Sequence, residues 1–322
     1  MPDIIFQKIN QQFKSADKIL IISHRRPDSD AIGSSLAIFF YLKGLGKNPT
    51  LFNIGPMAAY FDFLPGIENV CSDEKILDNK FDLVITLDLS SLDHSGLNDK
   101  VFKNNYVINI DHHISNHRFG HINLVDDQAS STCEVIYKIF SEINFNINKN
   151  ISLCLLCGLL GDTGNLSNSA TNTNSLVIAS ELIGKGGRIY KIDDLINRNK
   201  SINGLRLWGK ALSRLRTDDN GEIAFTYIKE EEYQEYQINE AELDGLTNFL
   251  NVISDVKFIA LFRISPDFTR VGMRTIRDDI DLSEIAKING GGGHKKAAGF
   301  ALPYALNEQN CDFVSYLKNT TQ

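Results

Sequence analysis

The chain has few cysteines and prolines and no long apolar run, and each scarcity excludes a class of protein. It contains 5 cysteines and 7 prolines in 322 residues. This odd and scattered cysteine set offers no paired disulfide framework, which favours a reducing compartment. No segment approaches the ~20 consecutive apolar residues of a membrane-spanning helix, and the amino end has no positively flanked apolar run. We therefore expect a cytoplasmic protein with no membrane partner.

Positive charge is also scarce. The chain carries 33 Lys and Arg against 40 Asp and Glu, a formal net charge of -7. This balance argues against a basic groove that holds long duplex DNA by counterion release. A short or small anionic substrate is still compatible with this negative net charge, because a bound divalent metal supplies positive charge locally. With 43% hydrophobic residues the chain is globular, and it is long enough for two domains that each have a core.

Strand-like and helix-like runs alternate through the first half of the chain. The strand-like runs are unbroken and apolar rather than alternating, so both faces of the sheet should be covered and its strands mainly parallel. These runs are 18–23, 48–54, 81–88 and 105–111. Residues 31–46 predict a helix, and Ser131 with Glu134 predicts a capping box that opens another. The run 151–161 is an apolar helix or a further buried segment, and Cys154 and Cys157 within it are expected to be buried small hydrophobes.

Acids and histidines follow these runs at four separate places. His24, Asp28 and Asp30 come after the first strand, Asp88 ends the third and Asp162 follows the run 151–161. Asp111, His112 and His113 follow the fourth strand without a spacer. Open parallel sheets bind ligands at the carboxyl ends of their strands, so we expect these side chains to meet there.

The chemistry of these side chains predicts a metal site. Carboxylate oxygens and imidazole nitrogens together suit Mn²⁺, Fe²⁺ or Zn²⁺, and their number exceeds what one ion with open positions needs. Two ions are therefore expected. Taken singly, each residue has an ordinary explanation, such as a turn or an N-cap for Asp28 and Asp30. Taken together, at four segment ends, these explanations do not account for the pattern.

Five stretches resemble the motifs of a known family. HRRPDSDAIGS (24–34), Asp88, IDHHISNHRFG (110–120) and GDTGN (161–165) are similar to the four motifs of the DHH phosphoesterase superfamily. RTIRDDIDLSEIAKINGGGGHKKAAGF (274–300) is similar to its carboxyl-terminal DHHA1 domain. The resemblance runs over most of the chain, in the family's order. It is closest to the oligoribonuclease/pAp-phosphatase (nanoRNase) branch.

The resemblance implies a role for each motif residue. The residues that it implies as ligands of two Mn²⁺ ions are His24, Asp28 and Asp88 for one, and Asp30, Asp88, His112 and Asp162 for the other. Asp88 bridges the ions, His113 faces the substrate phosphate, and Asp111 orients its histidine neighbours. The triplet 111–113 is expected past the strand end, where the backbone can bend. Gly161 and Leu166 depart from the family pattern, which has a small polar residue and an aromatic there.

The second half of the chain is expected to select the substrate. We predict a catalytic DHH domain over residues 1–186, a connector over 187–210 and a smaller α/β DHHA1 domain over 211–322, with a cleft between the domains. Four glycines, 290–293, follow a helical run and could approach an anion as a nest of N–H groups. The residues implied to bind substrate are Arg274, Gly291, Gly292, Gly293 and His294.

The expected function is a Mn²⁺-dependent phosphodiesterase that degrades very short single-stranded RNA to nucleoside 5′-monophosphates. Activity on pAp, on linear dinucleotides or on other small nucleotides is a further expectation, and a homodimer is compatible with the family. The motifs do not separate this activity from a cyclic-dinucleotide phosphodiesterase. Inorganic pyrophosphatases share the metal motifs but not the GGGH string. A non-catalytic nucleotide sensor would need a lost metal ligand, and the motifs keep all of them.

Overall fold

The computed structural model describes residues 2–55, 57, 59–192, 200–243 and 245–306. Contacts divide the chain into two compact units, residues 1–198 and 199–322. Residues 193–199 of the predicted connector and 307–322 of the predicted second domain, which include Cys311, lie outside the described part. The boundaries drawn from the sequence at residues 186 and 210 stay predictions.

The first unit is built on six parallel strands in the order β3-β2-β1-β4-β5-β6. Their bounds are β1 (Ile19–Ile22), β2 (Thr50–Phe52), β3 (Val70–Cys71), β4 (Leu83–Leu87), β5 (Val107–Asp111) and β6 (Ile122–Val125). The four apolar runs form the four central strands, so the predicted parallel sheet is confirmed. The sequence does not predict the outer two strands, because β3 has only two residues and β6 only four, so neither forms an apolar run long enough to stand out.

Helices cover the sheet of the first unit. They are α1 (Pro2–Ser15), α2 (Ser29–Gly44), α3 (Lys100–Lys103), α4 (Thr132–Glu142), α5 (Lys149–Asp162) and α6 (Thr173–Gly184). The run 151–161 is therefore a helix. Its cysteines Cys154 and Cys157 are buried and free, as predicted. Helices α2 and α5 pack so closely that a Cβ on Gly33 would lie 2.4 Å from the carbonyl oxygen of Cys154.

The start of α4 differs in one bond from the predicted capping box. Ser131 is the N-cap, and its Oγ accepts from the Glu134 N–H at 3.0 Å. The Glu134 carboxylate accepts instead from the N–H and the hydroxyl of Ser130, at 2.9 and 2.7 Å. The N–H groups of Thr132 and Cys133, the two residues after the N-cap, donate hydrogen bonds to the Asp30 carboxylate.

The second unit has its own six-stranded sheet, in the order β11-β12-β10-β9-β8-β7. The pairs are antiparallel except β8 with β9. The strands are β7 (Arg216–Thr217), β8 (Ile223–Lys229), β9 (Phe258–Ile264), β10 (Thr269–Arg274), β11 (Gly292–His294) and β12 (Ala297–Leu302). The helices are α7 (Ile202–Ser213), α8 (Glu231–Glu235), α9 (Leu246–Leu250) and α10 (Leu282–Ile288).

The glycine run of the second unit is more regular than the nest predicted from the sequence. Gly290 has a left-handed φ of 73° after α10, and Gly292 already belongs to the edge strand β11. A Cβ on Gly291 would lie 2.2 Å from the carbonyl oxygen of Gly299. Gly291 and Gly293 are needed because β11 approaches β12 closely, whereas the predicted contact of the run with an anion stays a prediction.

None of the helices in the described ranges combines the length and the apolar composition that crossing a bilayer requires.

Candidate metal centre

The predicted acids and histidines of the first unit converge at the carboxyl edge of its sheet. His24 follows β1, Asp88 follows β4, and Asp111 is the last residue of β5. The expectation that the whole triplet lies past the strand end is therefore wrong by one residue, and only His112 and His113 lie beyond it. Asp162, which follows the run 151–161, is the last residue of a helix and not of a strand, because that run forms α5.

The first group of side chains whose atoms lie close enough to hold one metal ion is His24, Asp28 and Asp88. His24 Nε2 lies 3.4 Å from Asp88 Oδ2 and 3.8 Å from Asp28 Oδ1. Asp28 is the N-cap of α2, and its Oδ1 accepts from the N–H groups of Asp30 and Ala31 at 3.0 Å each. The Asp28 carboxylate therefore caps α2 and also belongs to this group of candidate metal ligands.

The second group comes from Asp30, His112 and Asp162. His112 Nε2 lies 3.1 Å from Asp162 Oδ2. Asp30 is fully buried, and its two oxygens accept from the N–H groups of Thr132 and Cys133 at 2.6 and 2.9 Å. The start of α4 therefore fixes this carboxylate.

Two glycines of α5 make room for Asp30 and for Ser29 at the start of α2. A Cβ on Gly158 would lie 2.7 Å from Asp30 Oδ1, and one on Gly161 would lie 1.7 Å from Ser29 Oγ. The departure from the family pattern at Gly161 thus has a local cause, since a side chain there would collide with the start of α2.

Asp88 links the two groups. Its Oδ2 faces His24, whereas its Oδ1 lies 3.6 Å from His113 Nδ1 and 3.8 Å from His112 Nε2. The Thr132 hydroxyl donates to the same Oδ1 at 3.1 Å. Asp88 has a left-handed φ of 55°, a conformation that costs free energy and concentrates at functional sites. The backbone is held so that the two oxygens of one carboxylate face different partners.

Asp111 orders the two histidines. Its Oδ1 accepts from the backbone N–H of His112 and from Nδ1 of His113, both at 2.8 Å. Its Oδ2 accepts from Nδ2 of Asn116 at 2.6 Å. Neither Asn116, which lies within the motif 110–120, nor Thr132 is predicted from the sequence, because neither residue type is a typical metal ligand.

Crowding of the carboxylates shifts the pKa of several groups. Burial, then the negative charges of Asp162 and Asp88, raise the pKa of Asp30 well above its usual range. Burial also raises the pKa of Asp162 to about 6, against the hydrogen bond from His112. Burial favours a neutral His24, but hydrogen bonds and charges from its carboxylate neighbours prevail and raise its pKa to about 11. The site concentrates negative charge in a small volume, which favours a bound cation.

Another histidine lies beside the centre, where the sequence did not place one. His94 Nδ1 lies 3.0 Å from Ser90 Oγ, and its carbonyl oxygen accepts from the Arg25 N–H at 2.9 Å. Burial and then the charges of His24 and His113 lower its pKa. Because His94 stands alone in the sequence, only the fold reveals that it is near the other histidines.

The predicted substrate residues of the second unit gather at one end of its sheet. Arg274 on β10 and His294 on β11 both pair with Ala297 of β12, so they stand in one row across three strands. Arg274 Nε donates to Asn248 Oδ1 at 2.7 Å, and its Nη1 donates to the carbonyl oxygen of Met273 at 2.9 Å. Burial lowers the pKa of Arg274, which stays a cation at neutral pH.

Family comparisons agree with the motifs. Residues 18–159 match the family model described as the DHH family, N-terminal domain, and residues 210–321 match the one described as the DHHA1 domain. Together the matches cover most of the chain. The chain therefore contains a DHH N-terminal domain followed by a DHHA1 domain.

Individual relatives are similar over nearly the whole length. The bifunctional oligoribonuclease and PAP phosphatase NrnA of Thermus thermophilus is 29% identical over 284 residues, 88% of this chain and 84% of that protein. The probable bifunctional oligoribonuclease and PAP phosphatase NrnA of Streptococcus mutans is 28% identical over 322 residues, 98% of each. The crystal structure of an exopolyphosphatase-related protein from Bacteroides fragilis matches with a TM-score of 0.90 at 25% identity, covering 98% of this chain and 96% of that one.

Proposed function

We propose that this protein is a two-metal phosphoesterase that hydrolyses very short single-stranded oligoribonucleotides to nucleoside 5′-monophosphates, with pAp as a second substrate. The names of the two NrnA relatives support this substrate class. The net charge of -7 fits a small substrate better than long duplex DNA.

The placement of Asp88 is the observation that carries the proposal. One of its carboxylate oxygens faces His24 and the other faces His112 and His113. A carboxylate shared in this way between two ligand groups is what a two-metal site needs. Of the ligands, Asp30 and Asp88 are also held by hydrogen bonds from α4, so the site is organised by the fold.

The ligand groups fit hard or borderline divalent ions. Mixed imidazole and carboxylate donors suit Mn²⁺, and we assign two Mn²⁺ ions to the site. The residues that would hold them are His24, Asp28 and Asp88 on one side and Asp30, Asp88, His112 and Asp162 on the other. When bound, such ions activate water as a nucleophile and neutralise charge on the phosphoryl oxygens.

His113 supplies the group that contacts the substrate phosphate. The bond to the Asp111 carboxylate assigns the proton to Nδ1, so we give the phosphate contact to Nε2. Because Asp111 also accepts the N–H of His112, one buried carboxylate fixes both the ring of His113 and the backbone next to it. Asp111 is thus a positioning residue.

The second unit contributes binding of the substrate. Arg274 suits bidentate contact with a phosphate, and it stands in one row with His294. Gly291, Gly292 and Gly293 give close access to the backbone of the edge strand β11 beside that row.

A substrate panel tests the proposal. Purified protein with Mn²⁺ is incubated with RNA of two to five nucleotides, pAp, cyclic dinucleotides and pyrophosphate, and the products are resolved by chromatography. We expect nucleoside 5′-monophosphates from the short RNA and AMP from pAp. Preferential turnover of cyclic dinucleotides or of pyrophosphate would replace the proposed function with one of those activities. Absence of turnover on all of these substrates would overturn the proposed hydrolase function and favour a non-catalytic nucleotide-binding protein.

A further inference from the structure

An exposed aromatic residue directly follows the asparagine that holds Arg274, the arginine assigned to substrate binding in the second unit. Asn248 and Phe249 are consecutive exposed residues of α9, and 48% of Phe249 is exposed. A half-exposed phenylalanine forgoes part of the free energy that full burial of its ring would give. Its neighbours indicate what the exposed ring face could contact.

Three contacts, together with the chain step from Asn248 to Phe249, link five residues into a row. Arg274 Nε donates to Asn248 Oδ1 at 2.7 Å. The ring of Phe249 lies 5.9 Å from the ring of Trp208, between centroids, and Lys200 Nζ lies 5.7 Å from the Trp208 ring. We call this row the aromatic strip. It has a cation at each end and two aromatic rings between them.

The aromatic strip is held in place by the fold. Trp208 Nε1 donates to the carbonyl oxygen of Glu242 at 3.0 Å, and the Glu242 carboxylate accepts from the N–H of Ser201 at 3.0 Å. Ser201 is the N-cap of α7, the helix that carries Trp208. At the other end, Arg274 is held by Asn248 and by the carbonyl oxygen of Met273. Little side-chain freedom is therefore left to lose on binding.

This combination matches the chemistry of single-stranded nucleic acid. Proteins that bind such strands pair cations for the phosphates with aromatic side chains on which bases stack. We propose that the aromatic strip binds a nucleobase of the short RNA by stacking on the exposed ring of Phe249, which lies against Trp208 at an interplanar angle of 48°, next to the phosphate that Arg274 contacts. This inference rests on the proposed function and adds a base subsite to it. An apolar patch for a protein partner would not need a cation at each end.

The chain offers a direct probe, because it contains a single tryptophan. The full chain, freed of metal with a chelator so that no turnover occurs, is titrated with an RNA trimer while tryptophan fluorescence is followed. We expect the trimer to quench the fluorescence, and ribose 5-phosphate, which has no base, to leave it unchanged. Stacking on Trp208 or beside it is the direct cause of the quench.

Variants of Phe249 test the assignment by affinity and by kinetics. Phe249→Ala should weaken trimer binding by about fivefold to a hundredfold and should raise KM with little change in kcat. Phe249→Tyr keeps an aromatic face and should bind as the wild type does. Tyr304→Ala is the matched control, since it removes another aromatic side chain of the second unit with 47% exposure. It should change neither binding nor KM.

The outcomes separate this inference from the proposed function. Wild-type hydrolysis of RNA together with an unchanged KM in Phe249→Ala overturns the aromatic strip and leaves the proposed function standing. A wild-type protein that hydrolyses no RNA overturns the proposed function. In that case the fluorescence titration with the trimer still tests whether the aromatic strip binds a base. The base subsite is also overturned if the trimer does not quench the fluorescence, or if Phe249→Ala and Tyr304→Ala lose equal affinity for the trimer. A dimer in size-exclusion chromatography that Phe249→Ala dissociates overturns it as well, since the strip would then be a protein interface.

Discussion

Replacing Asp111 with asparagine tests how the buried carboxylate controls the two histidines. Asp111 is fully buried and accepts three hydrogen bonds, two at Oδ1 from His112 and His113 and one at Oδ2 from Asn116. The asparagine amide has the same shape but only one accepting oxygen. In either orientation of the amide, at least one of these donors faces an NH₂ group.

The size of the effect follows from this count. A buried donor left unpaired costs about 1–3 kcal/mol, and loss of a group that orients active-site residues typically costs about 10- to 100-fold in activity. The two figures agree, because each 1.4 kcal/mol is about tenfold. We therefore expect Asp111→Asn to lower kcat on an RNA dinucleotide by about 10- to 100-fold and to keep the Mn²⁺ content, since Asp111 orients residues and is not assigned as a ligand.

The assay is steady-state kinetics with metal analysis of the same samples. Asp82→Asn is the control for loss of a hydrogen-bonding carboxylate: exposed Asp82 accepts from the backbone N–H groups of Asp17 and Lys18, and it precedes β4 at the opposite edge of the sheet. It should leave kcat unchanged. Full activity of Asp111→Asn would refute the positioning role. Loss of Mn²⁺ in proportion to activity would show that Asp111 is a ligand, as its membership of a further group with Asp88, His112 and His113 allows.

Three further predictions concern other residues. His112→Ala should lower Mn²⁺ content, whereas His113→Ala should keep it and lose kcat, and equal metal content with equal rates would contradict this division. Arg274→Ala should cut kcat/KM on dinucleotides by about tenfold to a hundredfold, the value of a charge-assisted contact; it should barely change hydrolysis of bis-p-nitrophenyl phosphate, and parallel losses on both would remove its substrate role. Glu232→Gln should lower the free energy of unfolding by about 3 kcal/mol in a denaturant titration, because buried Glu232 receives two hydrogen bonds from Arg214, at 2.7 and 2.9 Å. Burial opposes ionisation of Glu232, but these bonds prevail and lower its pKa to about 2, so its contribution should be complete above about pH 4.5 and lost as pH falls towards 2. An unfolding free energy that does not change on this substitution would contradict the assignment.

The sequence predicts the parts of the fold whose cause is local. Unbroken apolar runs predict the central parallel strands, and polar residues at their ends predict a site at one edge of the sheet. The outer strand β6 was missed, because it has only four residues and forms no apolar run long enough to stand out. The position of Asp162 was described only as a segment end, since an apolar run such as 151–161 does not by itself separate helix from strand.

The side chains that converge at the candidate site were predictable from the sequence, but the residues that hold them by hydrogen bonds were not. Metal-ligating residue types are recognisable in a motif, whereas Thr132 and Asn116 act through hydrogen bonds that depend on how distant segments meet. His94 is a similar case, because its neighbour Arg25 is far away in the sequence. The glycine run was recognised as special, but its pairing with β12 depends on strand register, which the sequence did not reveal.

The most direct test of the account is the turnover of an RNA dinucleotide by Asp88→Asn at saturating Mn²⁺. Asparagine tolerates the left-handed φ of 55° at this position, so circular dichroism should show an intact fold. Loss of the anionic carboxylate that faces both ligand groups should reduce kcat to below about a hundredth of the wild-type value, more than ~2.7 kcal/mol of transition-state stabilisation, and bound Mn²⁺ should fall below two ions per chain. Retention of more than about a tenth of kcat, with two ions still bound, would contradict the bridging role of Asp88 and with it the two-metal mechanism.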